Sequence, residues 1–296
     1  MALSFDPPRN DAEAQAYVQQ LTSIAERVET HDEVGAMVWH RWGEGPPLVL
    51  LHGGSGSWTH WIRTIPAFMH ERAVIAADLP GLGDSPDPPE PYNADTLAAI
   101  VARGLEQLVG VDAAVDLVGF SFGGIVAGHL AANDPGAVGR LVIVGSPPFG
   151  LVTDGPANEV RAVDPSLDLE AAAEQHRRNL QLLMIADPGR VDPLALRVHH
   201  DNLRRSRLRS RKVAREATLQ DALRHVSCPL YGIWGEEDVT AHPDLASIRQ
   251  FFTSAEVANG QSQAFDVMPG VGHWAAYEGA DQFNQLLERR LSEPRR

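Results

Sequence analysis

The sequence has 296 residues, 44% of them hydrophobic and 22% charged, which excludes a disordered or fibrous chain and allows one large core with a small inserted domain. The formal net charge of −14 at pH 7 argues against a nucleic-acid or anionic-membrane partner, because phosphate binding depends on Lys and Arg. We therefore expect a small-molecule partner.

The first residues and the single cysteine indicate the cellular compartment of the protein. The start MALSFDPPRN carries an Asp and two prolines where a signal peptide needs an apolar core, and no later stretch is long and apolar enough to span a bilayer. Cys228 has no second cysteine to pair with. Both features are typical of a cytoplasmic protein.

The first half of the chain alternates between two periodicities. Apolar residues at helical spacing over 11–28 predict an amphipathic helix within an N-terminal extension over 1–32. Short apolar runs then predict strands over 34–42, 47–51, 73–77, 114–118 and 141–144. Between them, helices are predicted over 58–69, 93–108 and 122–132.

The alternation stops after residue 147 and resumes near 223. Residues 148–222 are rich in Ala and Arg, with no convincing strand, and predict an inserted helical cap. Strands over 230–234 and 264–267, a helix over 243–252 and a last helix then complete the core, which spans 33–147 and 223–296. This order predicts an α/β fold with a mostly parallel, doubly wound sheet.

The pentapeptide GFSFG carries the strongest chemical signal. It places Ser121 between an apolar strand and a helix, where two glycines allow a sharp turn that lifts the serine hydroxyl above the sheet. We predict that Ser121 is a nucleophile.

A serine nucleophile needs a base and a group that orients the base. Asp238, in the loop GEED, and His273, in the loop GVGHW, each follow a predicted strand in the order that this chemistry requires. The G-x-x-D spacing favours Asp238 over Glu236 and Glu237. We predict that His273 is the general base and Asp238 the carboxylate that orients it.

Attack on a carbonyl also needs backbone N–H donors for the oxyanion. We predict Phe122 as one donor and Gly54, in HGGSG, as the other, with Ser55 as the alternative. The HGGSG run lacks the Gly and Lys of nucleotide-binding loops, and no metal-binding motif is present. Neither a cofactor nor a metal is predicted.

Five motifs together resemble the α/β-hydrolase superfamily, in its order and spacing: LLHGGSGSW, DLPGLGDS, GFSFGG, IWGEED and GHWAAYEGADQFNQLL. The resemblance covers about residues 34–150 and 223–292 and leaves out the cap. It implies the α/β-hydrolase fold. Relatives with an aspartate nucleophile, the dehalogenases and epoxide hydrolases, are disfavoured by Ser121.

The tail that contains His273, Trp274, Glu278 and the Phe283-Asn284 pair most resembles the hydrolases that cleave carbon-carbon bonds in meta-cleavage products. Those enzymes usually have Asn before the nucleophile, where this chain has Phe120, and they hold the substrate carboxylate with a cap arginine. The cap here contains, among its arginines, Arg204, Arg205, Arg207, Arg209, Arg211 and Arg215. A shared helical face is predicted for Arg204, Arg207, Arg211 and Arg215, which is typical of a solvated surface.

The resemblance leaves several functions open. The missing Asn favours cleavage of a small carboxylic ester through an acyl-enzyme. Carbon-carbon hydrolysis, perhydrolase activity and a small-molecule receptor on the same scaffold are the alternatives. An apolar or aromatic substrate, with or without a carboxylate, is expected to contact Ser55, Trp58, Phe120 and Trp274. A homo-oligomer is also compatible with the sequence.

Overall fold

A computed structural model describes residues 7–150, 159–216, 218–257 and 261–294. Within these residues, strands form one eight-stranded sheet in the order β1-β2-β4-β3-β5-β6-β7-β8. The strands are β1 (Glu26–His31), β2 (Ala36–Trp42), β3 (Pro47–Leu51), β4 (Ala73–Asp78), β5 (Val115–Phe120), β6 (Val138–Val144), β7 (Leu230–Gly235) and β8 (Gln263–Met268). β2 is antiparallel to both of its neighbours, and the other pairs are parallel.

Helices cover both faces of the sheet. The α-helices are α1 (Asp11–Ser23), α2 (Ile65–Phe68), α3 (Ala94–Val109), α4 (Phe122–Asn133), α5 (Leu169–Leu183), α6 (Pro193–Arg204), α7 (Ser210–Ala214), α8 (Leu219–Leu223), α9 (Leu245–Phe252), α10 (Ala275–Glu278) and α11 (Ala280–Ser292). None of the described helices is long and apolar enough to cross a membrane.

The central strands are apolar on both faces because each face is covered. Along β3, Val49 and Leu51 pack into the layer formed with α3, α4 and α9. Leu48 and Leu50, on the opposite face, pack into the layer formed with α1, α2 and α11. Alternate side chains of a strand point to opposite faces, so a continuous apolar run is what a doubly covered strand requires. The predicted doubly wound, mostly parallel sheet is confirmed.

The local sequence accounts for the bounds of α3. Asn93 caps the helix in a capping box with Thr96, and Gly110 ends it at φ +90°. The buried positions Leu97, Val101 and Leu105 recur every four residues and face the sheet.

The N-terminal extension differs from the prediction of a purely helical segment. Residues Glu26–His31 form β1, an antiparallel edge strand paired with β2. Its sequence ERVETH buries only Thr30, so it shows no apolar alternation. Edge strands with polar side chains are common because their outer side faces solvent.

The predicted helix over 58–69 is also interrupted. A 3₁₀ turn covers Trp58–Trp61, and the short α2 begins separately at Ile65. Pro66 lies in the first turn of α2, where its missing N–H costs no helical hydrogen bond.

The predicted helical face of cap arginines is wrong. Helix α6 ends at Arg204 and α7 begins at Ser210, so Arg207 lies between helices. The N–H groups of Arg207 and Leu208 both donate to the Gly81 carbonyl, at 2.9 and 3.0 Å. A continuous helix would use those N–H groups internally, and contact with the core loop takes its place.

Candidate active site

Ser121 lies in a strained turn between β5 and α4. Its φ is +51°, in the left-handed region that a residue with a side chain rarely adopts. Gly119 and Gly123 permit the turn, because a Cβ at Gly119 would meet the backbone of Gly124 and one at Gly123 would meet the Leu51 carbonyl. Such strain concentrates at functional sites, and here it presents the Ser121 hydroxyl above the sheet.

His273 reaches Ser121 from the loop that follows β8. Its Nε2 lies 3.0 Å from Ser121 Oγ, although the two residues are 152 positions apart in the chain. The His273 side chain is 5% exposed, whereas Ser121 is only partly buried. The imidazole can therefore accept the serine proton while the hydroxyl stays open to a substrate.

Asp238 follows β7 and approaches the other side of the His273 ring. Both of its carboxylate oxygens lie 3.0 Å from His273 Nδ1. The Thr240 hydroxyl donates to Asp238 Oδ1 at 2.7 Å and lies 3.0 Å from His273 Nδ1. Glu236 instead accepts the N–H of Gly270. The structure thus brings together the three residues predicted as nucleophile, base and orienting acid.

The two predicted oxyanion donors flank the serine. Phe122 begins α4, and Gly54 lies in the loop after β3. Neither N–H has an acceptor among the hydrogen bonds of the described residues, whereas the Gly53 N–H donates to His60 Nδ1 at 3.2 Å. These contacts favour Gly54 over Gly53 for an incoming oxyanion. Ser55, at φ +50°, bonds to Ser206 through its side chain.

The predicted substrate contacts fall into two groups. Phe120 is 1% exposed, and its ring centroid lies 4.9 Å from that of His273. Trp274 stacks on Tyr277 at 4.2 Å and donates its indole N–H to the His60 carbonyl. Trp58 packs against other aromatic rings, His40 and Trp42 among them. We therefore assign Trp58 and Trp274 to packing around the site.

A sequence-family model described as alpha/beta hydrolase fold matches residues 46–184. That span includes β3, β5 and the turn at Ser121. This match and the sheet order together show that the chain has the α/β-hydrolase fold.

Relatives of the chain include two kinds of enzyme. The chain is 38% identical over 110 residues to a pimeloyl-[acyl-carrier protein] methyl ester esterase of Vibrio parahaemolyticus, a match that covers 37% of this chain and 40% of the esterase. It is 27% identical over 259 residues to a 2-hydroxy-6-oxononadienedioate/2-hydroxy-6-oxononatrienedioate hydrolase of Paraburkholderia phymatum. This match covers 81% of this chain and 85% of that hydrolase.

A solved structure shows the same fold over nearly the whole chain. A carboxylesterase from Bacillus subtilis superposes with a TM-score of 0.74 at 20% identity, covering 94% of this chain and 96% of its own.

The six arginines singled out in the cap segment lie on the surface or bind the core. Arg205 pairs with Asp84 at 3.1 Å, and Arg207 pairs with Asp87 at 2.8 Å. Arg207 also donates to the Ser85 carbonyl. The arginines with exposed side chains are Arg204, Arg207, Arg209, Arg211 and Arg215. Residues 205 and 207 therefore join the cap to the loop after β4.

The sequence analysis did not predict the role of Glu278, which hydrogen-bonds the loop that contains His273 (the histidine loop). The side chain is 1% exposed, and its Oε2 accepts the Gly272 N–H at 2.7 Å. The two carboxylate oxygens also accept N–H groups of the cap segment 184–187, at 3.1 and 2.7 Å. In addition, the Trp274 N–H donates to that segment at 2.7 Å. Both neighbours of His273 are thereby fixed to the cap or to Glu278. The sequence signal that could have indicated this role is an acidic residue, Glu278, at the end of the otherwise apolar run WAAYE.

The described residues contain one group that could hold a metal ion. Ligand atoms of His40, Asp78 and Asp84 lie within 4.8 Å of one another. The Asp78 oxygens already accept backbone N–H groups from Trp58 and Asp84, and Asp84 pairs with Arg205. Because Arg205 already supplies a positive charge beside Asp84, and both Asp78 oxygens hold backbone N–H groups, we assign no metal to this group.

Proposed function

We propose that the protein is a serine hydrolase that cleaves a small carboxylic ester through an acyl-enzyme. The observation that supports this most directly is the contact of 3.0 Å between Ser121 Oγ and His273 Nε2. Asp238 holds the other ring nitrogen, so Nε2 is the unprotonated nitrogen that can accept the serine proton.

These contacts support the following order of proton transfers. As Ser121 Oγ bonds to the ester carbonyl carbon, His273 Nε2 takes the hydroxyl proton and the carbonyl electrons move to oxygen. The Gly54 and Phe122 N–H groups donate to that oxyanion. The carbon–oxygen bond to the alcohol then breaks, and His273 protonates the leaving alcohol. Water repeats the sequence on the acyl-enzyme and releases the acid.

Carbon-carbon hydrolysis is the second candidate, and it is supported by the relative that matches 81% of the chain. A dienoate substrate carries a carboxylate, which needs a cationic partner if it is buried. Arg205 and Arg207, two cap arginines that reach the core, are paired with Asp84 and Asp87. This pairing favours the ester.

A comparison of hydrolysis rates on different substrates distinguishes the two candidates. Hydrolysis of p-nitrophenyl acetate, butyrate and benzoate is compared with that of a ring-opened dienoate, using wild type, Ser121→Ala, Arg205→Gln and Arg207→Gln. We expect ester turnover that falls by about 10⁴-fold or more in Ser121→Ala. Each arginine variant should change kcat/KM by less than about 2-fold.

Either of two results would contradict the ester proposal. Full activity of Ser121→Ala would remove Ser121 from the mechanism. Preferred cleavage of the dienoate, lost in an arginine variant, would identify a carbon-carbon hydrolase with a cap cation at its site.

A further inference from the structure

The carboxylate of Asp238 has a second polar neighbour besides His273. Its Oδ1 accepts the Thr240 N–H at 2.8 Å and the Thr240 hydroxyl at 2.7 Å. An Asp side chain commonly accepts the N–H of the residue two positions later, so the local sequence Asp-Val-Thr itself places the hydroxyl against the carboxylate. Among the described residues, the remaining donor to this carboxylate is His273 Nδ1.

The other side of the carboxylate is closely covered. The Asp238 side chain is fully buried. A Cβ at Gly145, directly after β6, would lie 3.1 Å from Asp238 Oδ2 and 3.2 Å from His273 Nδ1. Because a buried carboxylate is not solvated by bulk water, the hydrogen bonds that it accepts determine how strongly its charge acts on its neighbours. Loss of one donor should therefore change the attraction between Asp238 and the His273 ring.

The Thr240 hydroxyl contacts both members of this pair. It lies 2.7 Å from Asp238 Oδ1 and 3.0 Å from His273 Nδ1. A hydroxyl has one proton, and the shorter contact with an ionised acceptor is the stronger of the two, so the proton lies on the Asp238 side. The hydroxyl oxygen then presents a lone pair to the Nδ1–H group. Thr240 thus fixes the carboxylate and supports the tautomer in which Nε2 faces Ser121 without a proton.

We propose that Thr240 is a positioning residue that adjusts the proton affinity of His273 through Asp238. A hydrogen bond donated to a carboxylate draws negative charge away from the histidine, which makes the imidazolium less favourable. The base form of His273 then persists to lower pH than it would beside a carboxylate without this donor. The inference rests on the proposed serine hydrolysis, because it concerns the activation of the same nucleophile.

The other titratable groups near His273 do not have this role. His60, on the 3₁₀ turn, is uncharged because burial holds its pKa well below the usual range. Glu278, on α10, accepts the Gly272 N–H and does not contact the ring. Among the described residues, Asp238 is the charged group that contacts the imidazole, and Thr240 is the side chain that donates to Asp238 besides the imidazole itself.

The test measures how fast a fluorophosphonate labels Ser121 between pH 5 and 9. In this reaction Ser121 Oγ bonds to phosphorus, His273 Nε2 takes the hydroxyl proton and fluoride leaves, so the rate follows the fraction of His273 in its base form. The probe requires no knowledge of the natural substrate. Wild type is compared with Thr240→Val, Thr240→Ala and Thr240→Ser, and urea unfolding of the same preparations establishes that each variant is folded.

Thr240→Val keeps the branched shape of the side chain and removes the hydroxyl. We expect the midpoint of the acidic limb to rise by about 0.5 pH unit or more, so that labelling below the midpoint falls by about 3-fold or more relative to the plateau. Thr240→Ala should show the same shift. Thr240→Ser keeps the donor, and its midpoint should lie within about 0.2 pH unit of wild type.

Thr253→Val is the matched control. The Thr253 hydroxyl donates to the Arg249 carbonyl at the end of α9, so its removal also costs one hydrogen bond of a threonine in the segment after β7. This variant should leave the midpoint unchanged.

The outcomes distinguish this proposal from the proposed ester hydrolysis. An unchanged or lowered midpoint in Thr240→Val and Thr240→Ala overturns the role of Thr240, even with a lower plateau, because a purely structural contact would reduce the rate without a shift. A shift that Thr240→Ser does not restore also overturns it. A shifted labelling profile without turnover of p-nitrophenyl esters overturns ester hydrolysis alone. Absence of Ser121 labelling in wild type overturns both proposals.

Discussion

At the scale of single residues, buried histidines in the cap should make stability depend on pH. Burial lowers the pKa of His176 to about 4 and that of His199 to about 3. Between about pH 6.5 and 4 the unfolded chain binds protons that the folded chain does not, so the free energy of unfolding should decrease as pH falls. The loss is at most about 1.4 kcal/mol per pH unit for each histidine.

Urea unfolding at pH 7, 6, 5 and 4.5 checks this dependence. His176→Gln should show a shallower decrease than wild type because one of the titrating groups is absent. His31→Gln is the control, since that side chain is 66% exposed on β1. Equal slopes for wild type and His176→Gln would contradict the assignment.

Whether a contact between single residues was predictable depended on where the partners lie in the sequence. Ser121, Asp238 and His273 each follow a strand within a short motif, so their meeting at one sheet edge was predictable. The contact of the cap residue Asn202 with Ser57 and Thr59 was not, because those partners lie 145 and 143 positions away and no motif marks Asn202. Contacts between an inserted cap and the core depend on packing that single-chain patterns do not encode.

At the scale of elements, the long periodic segments were predicted well and the short or polar ones were not. The amphipathic pattern of α3 and the apolar runs of the central strands are strong enough to predict a helix and strands from the local sequence alone. β1 was missed because its pairing with β2, and not an apolar pattern, makes it a strand. The break between α6 and α7 was missed because it arises from bonds to the Gly81 carbonyl, which lies on the core.

The link between the histidine loop and the cap should affect both catalysis and stability. Glu278→Gln replaces one acceptor oxygen by a donor that faces backbone N–H groups, so at least one charge-assisted hydrogen bond is lost. We expect the free energy of unfolding to fall by about 2 kcal/mol or more. We also expect kcat to fall about 10-fold as His273 loses its fixed position.

Ester kinetics and chemical unfolding of the same preparations test both effects. Glu288→Gln, an exposed change on α11, is the control and should alter neither quantity. If Glu278→Gln loses stability while kcat is unchanged, Glu278 supports the fold without positioning His273.

At the scale of the whole molecule, the N-terminal helix is part of the second core layer. Leu21 on α1 is fully buried, and its carbonyl accepts the indole N–H of Trp42 at 2.8 Å. At the other end of α1, Asp11 pairs with Arg197 on α6. The helix therefore packs against both the sheet and the cap, while a homo-oligomer stays a prediction.

A pair of substitutions measures how strongly α1 is docked. Leu21→Ala should lower the free energy of unfolding by about 2–5 kcal/mol, because it leaves a cavity in a packed layer. Ile24→Ala, one residue beyond the helix and 41% exposed, should cost less than about 1 kcal/mol. Small, equal effects in thermal and urea unfolding would mean that α1 is not docked in solution.

The central claim is that Ser121 is a nucleophile activated by His273. The most direct measurement is covalent labelling with a fluorophosphonate, followed by mass spectrometry of the digested protein. We predict one label per chain, on the peptide that contains Ser121, with no labelling of Ser121→Ala and labelling slowed by about 10³-fold or more in His273→Ala. Labelling of another residue, or equal labelling of wild type and Ser121→Ala, would contradict the account.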